Sequence, residues 1–179
     1  MNLPRPASVP IIALALVCAA LVGCSPTPAP KPTPTPAFAS EEEAFAAAEE
    51  TYREYNEASN ADLAGNSTKD PQDYLIGSAL EGFLDGREYL RTNGLALQGE
   101  THVINFQGES ATISLGSTEV SMLVCLDISA TTLIDVSGRD VTPATRPGTV
   151  GQRVTLIADT SAFRISQESE AEAGACLLG

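Results

Sequence analysis

The chain has no tryptophan and few other aromatics, four Tyr and five Phe in 179 residues. That argues against the aromatic platform on which sugar-binding sites are commonly built. Basic residues are also scarce: 10 Lys and Arg stand against 23 Asp and Glu, for a net charge of −13. No basic patch exists to neutralise phosphates, so nucleic acid is excluded as a partner. The same balance argues against adsorption on anionic lipid through the domain surface. It favours solubility and self-repulsion instead. His102 is the one histidine. No second Cys or His sits at ligand spacing, so neither a metal centre nor another cofactor is expected. A Ser-His-Asp set cannot be assembled, and no phosphate-cradling loop is present. There is no internal repeat. Residues 11–22, IIALALVCAALV, are apolar throughout. Spanning a bilayer takes about 20 such residues, so this run is too short.

What that run does fit is the apolar region of a secretory signal peptide, with Arg5 as a weak basic start. Directly after it come Leu21, Val22, Gly23 and Cys24. This tetrad resembles the lipobox of bacterial lipoproteins. The resemblance implies a diacylglyceryl group on the Cys24 thiol and cleavage between Gly23 and Cys24. Cys24 would then be the acylated amino terminus, with palmitate-type chains and a place on the outer face of the cytoplasmic membrane. Two acyl chains anchor durably where one is marginal. Loss of Arg5 would take the charge from −13 to −14.

Proline then occupies positions 26, 28, 30, 32, 34 and 36. Each proline fixes its own φ and biases its predecessor to extended geometry. The expected conformation is polyproline II, so residues 25–39 reach about 45 Å at about 3.1 Å per residue. Such a tether holds a domain off the membrane. Thr27, Thr33 and Thr35 give it the composition of a glycosylated stalk, although an unmodified spacer suffices. The expected organisation is signal peptide 1–23, lipidated Cys plus Pro/Thr-rich linker 24–39, and one domain over 40–179.

Four cysteines are present. By the lipoprotein resemblance Cys18 leaves with the signal peptide and Cys24 takes the lipid. Cys125 and Cys176 remain, in a compartment that permits disulfides. They are expected to pair; two free buried thiols are the alternative.

In the domain, Ser40 and Glu43 form an S-x-x-E capping box before a helix. Phe45, Ala48, Tyr52, Tyr55, Ser59 and Leu63 step by three or four and define its apolar face, with Gly65-Asn66 as its end. Asp70-Pro71 reads as the start of a second helix, with Tyr74, Leu75, Ala79, Leu80, Phe83, Leu84, Arg87 and Leu90 at helical spacing. Gly77, Gly82 and Gly86 weaken it, and Asn93-Gly94 stops it. From residue 95 the period becomes two. Residues 101–106 alternate, Gly108 opens a turn, and 111–115 alternate again. Residues 119–136 read as one long strand, with Val120, Met122, Val124, Leu126, Ile128, Ile134 and Val136 on one face. Residues 143–148 are a loop. Residues 154–158 and 162–166 form a hairpin, and 168–174 is a loose acidic tail. Helices first and strands after define an α+β fold: N-terminal helices packed on a curved antiparallel sheet.

That order resembles the nuclear-transport-factor-2-like cone fold, and more narrowly the small secreted or lipidated actinobacterial proteins built on it. The residues that carry the likeness are VCLDIS at 124–129, IDVSGRDV at 134–141, RVTLIA at 153–158, FRIS at 163–166 and Cys176. Phe163 stands where Trp is common in those proteins. The resemblance implies a pocket inside the cone, lined here by Tyr52, Tyr55, Phe83, Met122, Val124, Leu126 and Ile128. Enzymes of the family place an acid or His in that pocket. Asp127 and Asp135 lie on the strand's other face, and His102 shares parity with Ile104 and Phe106. Fold alone does not settle function. The leading expectation is a membrane-tethered, non-catalytic domain that binds a small apolar ligand or a protein. An isomerase or dehydratase using His102 or Asp127 is the alternative, and an accessory subunit docking on a membrane complex is a third.

Overall fold

The structure is a computed structural model that describes residues 35–172 and 174–177. The apolar run, the Gly23-Cys24 bond and the prolines through position 34 lie outside the described residues.

Helix α1 spans Glu41–Leu63. Ser40 is extended, and its Oγ accepts from the Glu43 N–H at 3.1 Å. The Glu43 carboxylate accepts from the Ala39 N–H at 2.7 Å. The capping box therefore forms with its return arm one residue further out. Glu41, Glu42 and Glu43 sit at the positive end of the helix dipole. Ala44, Ala48, Tyr52 and Ala58 are the buried residues of α1, and Leu63 is exposed.

The second helix does not run unbroken from Asp70. Pro71–Tyr74 makes a single 3-10 turn, capped by Asp70, whose carboxylate accepts from the Gln72 N–H at 2.9 Å. Leu75 and Ile76 are extended, and helix α2 covers Gly77–Thr92. The break gains strand-like bonding. The Ile76 N–H donates to the Ile165 carbonyl at 2.8 Å, and Leu75 bridges Ile165 in parallel. Gly77, at φ +55°, restarts the helix where a side chain would be strained.

Six strands follow: β1 Leu95–Gln98, β2 His102–Ser114, β3 Ser117–Asp127, β4 Thr132–Asp135, β5 Thr149–Ala158 and β6 Arg164–Glu170. They form two antiparallel sheets, one in the order β2-β3-β5-β6 and one pairing β1 with β4. The long strand expected over 119–136 is thus two strands in different sheets. A turn at 128–131 separates them. The Asp127 carboxylate accepts from the Ser129 N–H, and the Thr131 hydroxyl donates to the Ile128 carbonyl. The Arg146 guanidinium clamps the carbonyls of Ile128 and Thr131. Alternating apolar residues continue through a turn as readily as through a strand, which hid the break.

Gly108 opens no turn. It lies inside β2, and a Cβ there would come within 2.7 Å of the Phe45 ring. The β2–β3 turn falls at Gly116, φ +86°. Residues 168–170 belong to β6, and Ala171 is buried, so the acidic tail is not loose.

Helix α1 lies over β2 and β3, and α2 packs on β6 and β1. The core between them holds Met122, Val120, Val124, Val154, Leu156 and Ile165, each under 2 % exposed. A fully buried side chain of this size contributes about 1.5–3 kcal/mol. Phe38 stacks on Phe163 at 5.0 Å between centroids, closing one end. The other face of the sheet is covered too. Leu123, Cys125 and Ala171 are buried there, with Ala175 and Cys176 against them. Cys125 and Cys176 form a disulfide, with their Cα atoms 5.6 Å apart. Gly151 makes room for it, since a Cβ there would meet Cys176 Sγ at 3.1 Å.

Candidate functional site

The residues expected to line a pocket are brought together in one apolar cluster. Tyr52, Met122, Val124 and Leu126 are core members, and Tyr55, Phe83 and Ile128 pack against them partly buried. The Tyr52 ring meets Tyr55 at 5.6 Å and Phe106 at 6.0 Å, both edge to face. Phe45 closes on Gly108 beside them.

His102 and Asp127 are cross-strand partners in the β2–β3 ladder, at its outer end. His102 is exposed, with Nε2 3.7 Å from a Glu100 carboxylate oxygen. A bulge between Val103 and Asn105 turns Val103 and Phe106 toward the core and leaves Ile104 57 % exposed. His102 does not follow Phe106 inward, because the bulge breaks the parity they share in the sequence. Asp127 is a turn residue. Its carboxyl is held low chiefly by its hydrogen bonds with Ser129. Asp135 plays the same part in the next turn. Its pKa falls to about 2, first through the Ser137 hydroxyl and then the Arg139 N–H.

The acid that does face inward is Glu168. Strand β6 runs in register with β5 as Leu156↔Ile165, then Thr155↔Gln167 and Val154↔Glu168. Ser166 is the extra residue. Its hydroxyl donates to the Thr155 carbonyl at 3.1 Å, and its own carbonyl accepts from the Ser78 hydroxyl at 3.3 Å. That bulge puts Glu168 on the side of Val154, which is 0 % exposed. The Tyr52 and Tyr55 phenols of α1 are the titratable groups on which its charge acts. Burial pushes the Glu168 carboxyl up, and the neighbouring Tyr52 phenol offsets part of that rise. Burial likewise raises both phenols, and the Glu168 charge adds to it. A carboxyl raised by burial can hold or release a proton near neutral pH more readily than an exposed one. Sequence parity from Phe163 and Ile165 places Glu168 outside, so reasoning from alternation missed it. The one signal in the sequence was Ser166 ahead of a polar run.

A separate groove of about 510 Å³ lies between the second half of α1 and the start of β2. Arg53, Asn56, Glu57, Asn60, Glu100 and His102 line it. Its two asparagines are already committed. Both amides donate to the Thr101 carbonyl, and Asn60 Oδ1 accepts from the Thr101 N–H. Among the described residues, no group of three or more His, Cys, Asp or Glu side chains is arranged to hold a metal ion. No described helix is long and apolar enough to cross a membrane.

No family model matches the chain, and no curated protein matches it. Solved structures share its architecture. The chain is similar to the crystal structure of the intermembrane space region of the chloroplast protein ARC6. The identity is 15% and the TM-score 0.50, over 70% of this chain and 95% of that one. It is also similar to Aln2 from a Streptomyces species, at 14% identity and a TM-score of 0.40, over 74% and 93% of the two chains. The ARC6 likeness is one of α+β fold alone.

Proposed function

We propose that this chain is a lipid-anchored protein of the outer face of the cytoplasmic membrane whose domain works by binding another protein. Cys24 is the lipid site, and the proline-rich segment is the spacer. The observation that carries the binding role is the apolar cluster formed by the inner side chains. The side chains expected to line a pocket for a small apolar ligand pack on one another instead. Exposed apolar side chains lie elsewhere: Leu84 and Tyr89 on α2, Leu97 on β1 and Val136 just after β4. Exposed apolar side chains of this size are available to a protein partner. No nucleic acid and no cofactor enter this reading.

Native mass spectrometry of the protein purified from membranes tests it. The expected mass is one chain beginning at a lipidated Cys24, less two hydrogens for the Cys125-Cys176 bond. An additional small-molecule mass that disappears on denaturation would overturn the protein-binding role. A Cys24→Ser variant that stays membrane-bound and still takes up labelled fatty acid would overturn the anchor.

A second reading rests on Glu168. If the domain is an isomerase or dehydratase, Glu168 with Tyr52 is the acid-base pair, and neither His102 nor Asp127 is. Full activity retained in Glu168→Gln would sink that reading.

A further inference from the structure

The groove between α1 and the start of β2 has a fixed floor. Asn56 and Asn60, one helical turn apart, both donate to the Thr101 carbonyl, at 2.9 and 2.8 Å. Asn60 Oδ1 also accepts from the Thr101 N–H at 2.9 Å. Three hydrogen bonds to one residue set the distance between the helix and the lead-in to β2. Arg53 and Glu57 line the groove from the helix, and Glu100 and His102 line it from the strand side. The charges there are not spent on one another. The Arg53 guanidinium lies over the Phe106 ring, 4.6 Å from its centroid. Its one ion pair among the described residues is an exposed contact with Glu49 at 3.7 Å, too long for a hydrogen bond. Stacking fixes the guanidinium plane and leaves its N–H donors for another acceptor. Glu57 enters no ion pair among the described residues, although it stands one turn after Arg53. Glu100 approaches only the His102 imidazole, at 3.7 Å.

A ligand of a single charge meets a like charge in this groove: an anion meets Glu57 and Glu100, a cation meets Arg53. A ligand that carries both finds a partner for each. One helical turn sets the Arg53 and Glu57 positions about 6 Å apart along the axis. In an extended chain, side chains two residues apart lie on one face about 7 Å apart. The two spacings match, and the groove's volume of about 510 Å³ suits a short stretch of chain. We propose that this groove takes an extended segment of the protein partner, with an Asp or Glu side chain on Arg53 and, two residues along, a Lys or Arg side chain on Glu57 and Glu100. This names the partner's chemistry and rests on the protein-binding reading.

The probe is the capped peptide acetyl-Gly-Asp-Ala-Lys-Gly-amide, titrated into the isotope-labelled full chain and followed by amide NMR shifts. Residues 53–60 and 100–103 should shift and saturate, with a dissociation constant on the order of 1 mM. Arg53 and Glu57 are exposed, so Arg53→Gln and Glu57→Gln leave the core untouched. Each should weaken binding about fivefold, the upper range for one exposed ion pair. Control peptides with Asp at both charged positions, or Lys at both, should bind more weakly by a similar factor. The proposal is overturned by any of three results: no saturation at these residues up to about 20 mM peptide, equal binding of all three peptides, or variants that bind like the wild type. Saturable shifts confined to α2 and β1 would also overturn it, and would move the docking segment to Leu84 and Leu97 with the protein-binding reading intact. That reading fails on a different result, the small-molecule mass in native mass spectrometry.

Discussion

Breaking the Cys125-Cys176 bond removes a constraint between positions 51 residues apart. For a closed loop of this size the chain-entropy relation gives about 4 kcal/mol at 25 °C. Most of that acts on the unfolded chain, because the folded tail has other holds. The Ala171 N–H donates to the Gly151 carbonyl at 2.9 Å, and Ala171 is buried against Leu123. Urea unfolding of the full chain, with and without a reductant, measures the loss. For a domain of this size the urea dependence is about 2 kcal/mol per M, so the midpoint should drop by about 2 M. The reduced chain unfolds to a more open ensemble, so its urea dependence should also steepen. The double variant Cys125→Ser, Cys176→Ser should match the reduced protein. Midpoints within about 0.3 M of each other, with equal slopes, would refute the reasoning. They would mean that the cross-link itself adds no constraint on the unfolded chain.

Glycine substitutions separate crowding from propensity. Gly108→Ala places a Cβ 2.7–2.9 Å from Phe45 ring atoms, so it should destabilise by about 1–3 kcal/mol. Gly82→Ala meets nothing within 4 Å in α2 and should stabilise by about 0.5–1 kcal/mol. Thermal unfolding of the two variants checks both signs, and a neutral Gly108→Ala would contradict the contact. Asp135→Ala should weaken the protein at neutral pH, because the folded carboxyl sits at about 2 against an ordinary value of 3.8. That contribution is complete above the ordinary value and disappears as pH falls toward 2. Stability curves for wild type and variant should therefore converge in acid, and a constant gap down to pH 2 would exclude the charge as its source.

Local chemistry was readable wherever a side chain acts on its own backbone. Ser40 announces α1, Asp70-Pro71 announces a helical turn, and helices before strands give the α+β class. The pairing of Cys125 with Cys176 followed from the lipoprotein resemblance, which set the other two cysteines aside. What alternation could not supply was its own interruptions. Each β-bulge advances one strand by a residue and exchanges its two faces. The bulge between Val103 and Asn105 defeats any parity argument about His102. The bulge at Ser166 moves Glu168 from solvent to the core side. The break at Leu75-Ile76 has the same character. It pairs with the edge of β6, about ninety residues away in the chain, which no window around Asp70 contains.

Phe38 is the first buried side chain of the domain, 5 % exposed and stacked on Phe163 in the β5–β6 connection. Any pull arriving along the chain from residues ahead of it reaches this ring pair before it reaches the α1 cap. The load then passes into the hairpin of β5 and β6, whose strands share a hydrogen-bonded ladder, and spares the end of a helix that could be peeled turn by turn. For a domain held by its amino-terminal side, the stacked pair ties the entering chain to the β5–β6 connection three residues before α1 begins.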